Sequence, residues 1–147
     1  PFSESGQPCD VSAALLYGVM SLNIKNIVVM GHRFCGGIQA LMTQTPEDEL
    51  NPIYHWINSA TPAKEQVLAE HGDCSDTEQF QHCEKASVVN SLNNLMGYPW
   101  VKEKVDNNEL ALHGWYFDLE SGAILRYDDS DSKAFIPLLD SSSNAPS

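Results

Sequence analysis

The sequence has 147 residues, about the length of one domain, and its hydrophobic fraction of 42% is typical of a globular protein rather than a disordered one. Eight basic and twenty acidic residues give a net charge of −12, which repels phosphate backbones and anionic lipid surfaces. We therefore expect neither a nucleic acid nor a membrane as partner.

The four cysteines, Cys9, Cys35, Cys74 and Cys83, could in principle form two disulfides. A chain of this size can bury a core large enough to fold without such cross-links. The start of the sequence carries no recognisable signal peptide. We therefore expect reduced thiols and a cytoplasmic location.

The first predicted elements are a helix, a strand and a second helix. Asp10 or Ser12 can cap a helix that runs to about Leu22 and is apolar nearly all round, which predicts that it is buried. The continuous apolar run within residues 26–30 predicts a strand that is covered on both faces, as in a parallel sheet. Two glycines then permit a tight turn into a helix over residues 38–42.

The remainder of the chain has the pattern of further helices followed by a β-hairpin. We predict helices from about residue 51 and over residues 63–70, 77–96 and 99–105, then strands over residues 109–120 and 123–127. The element order predicts an α/β fold with a parallel β-sheet core flanked by helices and a C-terminal hairpin. Residues 1–128 are predicted to form the domain, and residues 129–147 an acidic, serine-rich C-terminal tail that is disordered from residue 140.

The motif that indicates chemistry is His32-x-x-Cys35, at the carboxyl end of the first predicted strand. Ligands of α/β proteins bind beyond this end of parallel strands, and an imidazole with a thiolate is a donor pair that suits zinc. A phosphate-binding loop is excluded because Gly37 and Ile38 stand where a lysine and a hydroxyl are required. The alternative is that Cys35 is a buried core thiol and His32 an ordinary loop histidine.

His71-x-x-Cys74 has the same spacing but lies in an acidic loop with no strand before it. We interpret it as a surface loop rather than a metal site. Cys83 lies on the most clearly amphipathic helix and is predicted to be part of the core.

The chain resembles the C-terminal two-thirds of a β-class carbonic anhydrase over residues 12–128. The most specific part of the resemblance is the apolar strand followed by Gly31-His32-Arg33-Phe34-Cys35-Gly36-Gly37. The other matching segments are Ser12-Ala13-Ala14-Leu15 with Tyr17, Glu84 with Val88 and Val89, Tyr98-Pro99-Trp100-Val101, and Leu112-His113-Gly114-Trp115.

The resemblance implies a Zn²⁺ ion held by two cysteines and a histidine, of which His32 and Cys35 match directly, with water or hydroxide as the fourth ligand. It also implies that the backbone N–H of Gly36 faces the bound anion and that Tyr17 contributes to the pocket near a subunit interface. The implied activity is carbonate dehydratase, the reversible hydration of carbon dioxide to bicarbonate by a metal-bound hydroxide. The implied assembly is a homodimer or a larger homo-oligomer.

The family's Cys-x-Asp-x-Arg motif, which supplies the other cysteine ligand and an aspartate–arginine pair, does not occur in this sequence. We therefore expect the chain to represent the family without its N-terminal third, which leaves the third ligand open. One alternative is a non-catalytic, carbonic-anhydrase-like interaction or regulatory subunit, whose third ligand would come from another chain or from Cys9, Cys74 or Cys83. The other alternative is a hydrolase of carbonyl sulfide or carbon disulfide on the same scaffold.

Overall fold

The structure is a computed structural model that describes residues 10–43, 56–130 and 133–138. Its helices are α1 (Asp10–Leu16), continued by a π-helical segment (Tyr17–Ser21), then α2 (Gly36–Thr43), α3 (Thr61–His71), α4 (Asp76–Met96) and α5 (Pro99–Asp106). Its strands are β1 (Asn26–His32), β2 (Ala111–Phe117), β3 (Ile124–Asp128) and β4 (Ala134–Pro137). In the part of the chain that the structure describes, no helix is long and apolar enough to cross a membrane.

The four strands form one sheet in the order β1-β2-β3-β4. β1 and β2 run parallel, with Val29 opposite Gly114, and the other two neighbouring pairs are antiparallel. The chain between β1 and β2 contains α2 to α5, as the long crossover of a parallel pair requires. The predicted α/β fold with a C-terminal hairpin is confirmed, whereas the predicted helix from residue 51 lies largely outside the described residues.

Helix α4 packs very closely on β1 and β2. A Cβ added to Gly31 would lie 2.6 Å from Cγ2 of Val88, and one added to Gly114 would lie 3.1 Å from Cγ1 of the same valine. Because Val88 is fully buried, it has little room to move away from an added carbon. Only glycine at both strand positions therefore lets the helix lie this near the sheet.

The prediction that β1 is covered on both faces is wrong. Val28 and Met30 are 43% and 53% exposed, whereas Ile27 and Val29 pack against the core between α4 and α5. Exposed and half-buried residues alternate along the strand, which is the pattern of a strand that is covered on one face. The reason is that α4 packs on the face of β1 that carries Gly31, whereas Val28 and Met30 lie on the opposite face.

The prediction that the first helix is buried is also wrong. Leu16 and Tyr17 are exposed, and Val19 is the single buried residue of α1 and the π-helical segment. Val19 packs with Leu95 and Val101, while no described element covers the opposite side of the helix. The first helix is as apolar as the sequence indicates, but the described residues do not bury most of its apolar side chains.

The predicted domain boundary at residue 128 does not coincide with the end of the sheet. Strand β4 lies beyond it and pairs with β3, with Phe135 opposite Tyr127. The Phe135 ring lies 5.4 Å from the ring of Tyr127 and 6.0 Å from that of Tyr116. These aromatic contacts place Phe135, in the predicted tail, on the sheet. The predicted disorder from residue 140 lies outside the described residues.

We expect Gly31→Ala to lower the free energy of unfolding by about 1–3 kcal/mol, because the new methyl group overpacks the contact with Val88. Denaturant unfolding measures this value, and Gly36→Ala is a matched control because no atom lies within 4 Å of its added Cβ. Val88→Ala removes the clashing methyl groups, so the double variant should be less destabilised than the sum of the two single variants. Additive effects would contradict the proposed contact.

Two histidines stack where α3 meets α4. The rings of His71 and His82 have centroids 3.8 Å apart and planes inclined by 10°. Partial burial, followed by the charges of His71 and Lys85, lowers the pKa of His82 below its usual range. The folded protein therefore binds a proton at His82 less readily than the unfolded chain does.

We expect this pair to make stability depend on pH. The unfolded chain takes up the proton first as the pH falls, so the stabilisation is complete above the ordinary histidine pKa of about 6.5 and decreases as the pH falls through that value. The Tm should fall between about pH 7.5 and pH 5.5, and the fall should be smaller in His82→Gln. An equal fall in the variant would assign the pH dependence to other groups.

Candidate metal site

The turn that follows β1 carries the predicted metal ligands. β1 ends at His32 and α2 begins at Gly36, so the turn has only three residues. The backbone N–H of Arg33 donates to the carbonyl oxygen of Phe117 at 2.9 Å, which extends the pairing with β2 into the turn. Phe34 has a φ of +59°, a conformation that bulky residues rarely adopt. Such a residue persists only where its surroundings fix the backbone, and this occurs most often at functional sites.

His32 is held by its own turn. Its Nδ1 lies 2.9 Å from the carbonyl oxygen of Arg33. Because a carbonyl can only accept a hydrogen bond, Nδ1 must carry the proton. In the neutral imidazole the free lone pair then lies on Nε2, which is the arrangement in which a histidine binds a metal.

Cys35 immediately precedes α2. Its carbonyl oxygen accepts the N–H of Gln39 at 3.0 Å, so the helical ladder begins at this residue. The N–H groups of the first helical turn, including that of Gly36, have no acceptor within the helix and favour a negative charge nearby. An anion bound at this position is therefore stabilised by α2.

A buried carboxylate supports Cys35 from the side of α4. Glu84 is 3% exposed, and its Oε1 accepts the backbone N–H of Cys35 at 2.9 Å. Its Oε2 accepts the hydroxyl of Tyr116 at 2.6 Å. Burial, then the hydrogen bond to Glu84, raises the pKa of Tyr116 well above its usual range, so the hydroxyl remains a donor at physiological pH.

Cys83, the neighbour of Glu84, is buried as the sequence predicts. Burial, reinforced by the charge of Glu84, raises the pKa of its thiol to about 11. Cys83 packs in the cluster that Cys35 borders, together with Leu41 and Val67. A thiol in this environment stays protonated, which is unfavourable for metal binding.

The turn opens onto a cavity of about 560 Å³ that extends along β1. His32, Cys35 and Glu84 all line this cavity, so the structure brings the two predicted ligands to one place. Tyr17 and Gly36 are not on its wall, and Tyr17 is 60% exposed on the π-helical segment. The predicted roles of these two residues remain predictions.

Among residues 10–43, 56–130 and 133–138, no three His, Cys, Asp or Glu side chains converge as a metal site would require. Cys74 lies in the turn between α3 and α4, and Cys9 is outside the described residues. Within the described residues, His32 and Cys35 are two donors of the kind that zinc prefers on the wall of one cavity.

Arg33, which sequence reasoning did not single out, ties the turn to the hairpin. Its guanidinium lies 2.9 Å from Glu120 and 3.9 Å from Asp118, and it stacks 4.9 Å from the centre of the Phe34 ring. Nearby hydrogen bonds from the backbone N–H of Glu120 and the hydroxyl of Ser121 lower the pKa of Asp118. The carboxylate of Asp118 is therefore available to the arginine at physiological pH.

Glu84 and Tyr116 were also not assigned to the site from sequence. The signal for Glu84 was a carboxylate on the apolar face of an amphipathic helix, next to Cys83 and one turn before Val88. Tyr116 gave no such signal, because an aromatic residue in a strand is normally part of the core.

The sequence was compared with known protein families and with curated proteins. The family described as carbonic anhydrase matches residues 5–124. Three similar relatives come from Arabidopsis thaliana. Beta carbonic anhydrase 5, chloroplastic, is 46% identical over 119 residues, which are 80% of this chain and 39% of the relative. Beta carbonic anhydrase 3 is 40% identical over 77% of this chain and 45% of the relative. Beta carbonic anhydrase 6, mitochondrial, is 32% identical over 86% of this chain and 44% of the relative.

Solved structures give the same result. The β-carbonic anhydrase CcaA has a TM-score of 0.84 at 25% identity and covers 96% of this chain and 62% of its own. CafA from Aspergillus fumigatus has a TM-score of 0.72 at 27% identity, over 85% of this chain and 60% of its own. The chain thus spans less than half of the curated relatives and about three fifths of these structures. It belongs to the carbonic anhydrase family, and the resemblance to the β class is confirmed.

Proposed function

We propose that this chain provides part of the active site of a zinc-dependent carbonate dehydratase, which hydrates carbon dioxide reversibly to bicarbonate. The observation that carries the proposal is the placement of His32 and Cys35 on the wall of one cavity, at the carboxyl end of β1, in a member of the carbonic anhydrase family. Family membership suggests the reaction, and the turn suggests the residues that perform it.

His32 and Cys35 are the residues that would hold the metal. The carbonyl of Arg33 keeps the proton on Nδ1 of His32, which leaves Nε2 as the donor atom. Cys35 would bind as a thiolate, the form in which cysteine coordinates zinc. When bound, zinc lowers the pKa of a coordinated water molecule to about 7 and so supplies hydroxide at neutral pH.

The surroundings suit both the substrate and the product. Carbon dioxide is uncharged, and the cavity wall includes the apolar side chains of Val29, Ile38 and Leu95. Bicarbonate is an anion, and the family resemblance implies that the N–H of Gly36, at the start of α2, faces it. Tyr17, exposed on the π-helical segment, would contribute to the pocket of a neighbouring subunit.

We propose that the third metal ligand comes from outside the described residues. The family resemblance implies that a Cys-x-Asp-x-Arg motif supplies this ligand. The predicted cytoplasmic location likewise remains a proposal, because the names of two of the relatives specify chloroplastic and mitochondrial forms. Neither statement affects the assignment of His32 and Cys35.

The partner is proposed to be a second copy of the chain. α1 and the π-helical segment expose Leu16, Tyr17 and Met20, which form an apolar surface suited to a homo-oligomer. One structural neighbour, from Sordaria macrospora, is described as tetrameric and has a TM-score of 0.69 at 25% identity. We expect the molar mass from light scattering after size exclusion to be at least twice the 16.2 kDa of one chain. The mass of a monomer would contradict the proposed homo-oligomer.

We expect His32→Ala and Cys35→Ser each to weaken zinc binding by at least about tenfold, because each removes a direct ligand. Replacing a residue that only hydrogen-bonds to a ligand already lowers metal affinity by about that factor. Zinc retained after dialysis against a weak chelator measures the loss, and carbon dioxide hydration in a stopped-flow pH assay should fall with it.

The chain supplies its own control for this experiment. His71 and Cys74 have the same sequence spacing but lie on the turn between α3 and α4, away from the cavity. His71→Ala and Cys74→Ser should therefore retain the zinc of the unaltered protein. Unchanged zinc in the His32 and Cys35 variants, or equal loss in all four, would contradict the assignment.

A further inference from the structure

The most unusual buried group of the described residues is the carboxylate of Glu84. It is the single buried charged side chain among them. A carboxylate removed from water is costly unless hydrogen bonds satisfy its oxygens. Here each oxygen accepts one hydrogen bond, from the Cys35 backbone and from the Tyr116 hydroxyl.

The partners of Glu84 belong to two other elements of the fold. Cys35 closes the turn after β1, Tyr116 is fully buried in β2, and Glu84 itself is in α4. The two hydrogen bonds therefore join the turn, the neighbouring strand and the helix through one side chain. The contact with the Tyr116 hydroxyl is short, at 2.6 Å, and the contact with the Cys35 N–H has the ordinary length of 2.9 Å.

The contact between α4 and β1 keeps Glu84 at this distance. Val88 follows Glu84 by one helical turn and lies against Gly31, so the helix cannot move sideways without losing that contact. Gly31 in turn is adjacent to His32 in sequence. The carboxylate is thus fixed relative to the end of β1 from which both candidate ligands project.

We propose that Glu84 is a positioning residue for the metal site: its carboxylate fixes the peptide group of Cys35 and so holds the thiol in the orientation that binds the metal. The inference rests on the proposed zinc-dependent function, because its consequence is a change in metal binding. The hydrogen bonds of Glu84 do not depend on that function. A direct role as a metal ligand is less favourable, because both oxygens already accept a hydrogen bond from the protein.

Four variants separate positioning from general stability. Glu84→Ala removes both hydrogen bonds. Glu84→Gln keeps the size of the side chain and an oxygen that can accept the Cys35 N–H. Tyr116→Phe removes only the second anchor of the carboxylate. Val101→Ala removes a buried side chain of α5 that packs with Val19 and Leu95, away from Glu84 and Cys35, and is the control for loss of stability.

The first measurement is the affinity of each purified variant for Co²⁺, which substitutes for zinc and reports a bound thiolate through a sulfur-to-cobalt charge-transfer band. Outer groups that orient a ligand usually contribute about 10–100-fold to metal affinity. We expect Glu84→Ala to lose affinity within this range and to have an altered band, and Glu84→Gln to recover most of the affinity. Tyr116→Phe should lie between them, and Val101→Ala should retain the band of the unaltered protein.

Three results would overturn the proposal. One is a folded Glu84→Ala protein with unchanged Co²⁺ affinity and an unchanged band. Another is an equal loss of affinity in Val101→Ala, which would show that a general loss of stability is sufficient. The third is a Glu84→Gln protein that behaves like Glu84→Ala, because the charge rather than the hydrogen bond would then be responsible.

A metal-free measurement distinguishes failure of this proposal from failure of the proposed function. If the unaltered chain binds neither zinc nor Co²⁺, the zinc assignment fails, and alkylation of Cys35 by iodoacetamide becomes the decisive test. Peptide mass spectrometry resolves this thiol from the other cysteines. A severalfold faster reaction in Glu84→Ala than in Glu84→Gln supports positioning by the hydrogen bond, and equal rates overturn it.

Discussion

The close contact of α4 with β1 and β2 is the constraint on which the rest of the structure depends. Val88 lies between Gly31 and Gly114, positions where any side chain would push the helix away from the sheet. The contact fixes the distance between helix and strands, and therefore the distance over which Glu84 reaches the turn. Without this contact, β3 could still pair with β2 and β4, but β1 and β2 would not be covered by α4.

The same packing explains why a charged group can be buried next to the candidate site. The carboxylate of Glu84 has a partner for each oxygen, and both partners are themselves fixed by the sheet or by the turn. A half-satisfied carboxylate at this depth would be strongly destabilising, so the three groups act as a unit. The turn that carries the ligands is then constrained on three sides: by the Arg33 backbone bond to β2, by the carboxylate, and by the start of α2.

Much of the fold and half of the site could be predicted from the sequence. The period of the apolar residues predicted α4, and the continuous apolar run predicted β1. The glycine turn with His32 and Cys35 predicted the candidate ligands. These signals could be recognised because they are local in sequence. Glu84, Tyr116 and Arg33 could not be assigned, because their roles depend on contacts between residues far apart in sequence. A carboxylate on an apolar helical face requires a buried hydrogen-bond partner, but the sequence does not identify that partner.

The two wrong burial predictions have a common physical cause. Apolar periodicity reports how much of an element must be covered, and it does not report which molecule covers it. Val28 and Met30 on β1, and Leu16 and Tyr17 on the first helix, carry the apolar surface that predicted burial, yet all four remain exposed in the single chain. Exposed apolar side chains that lie together mark a surface on which another part of the protein or another chain packs. The exposed face of the first helix is therefore in keeping with the proposed homo-oligomer.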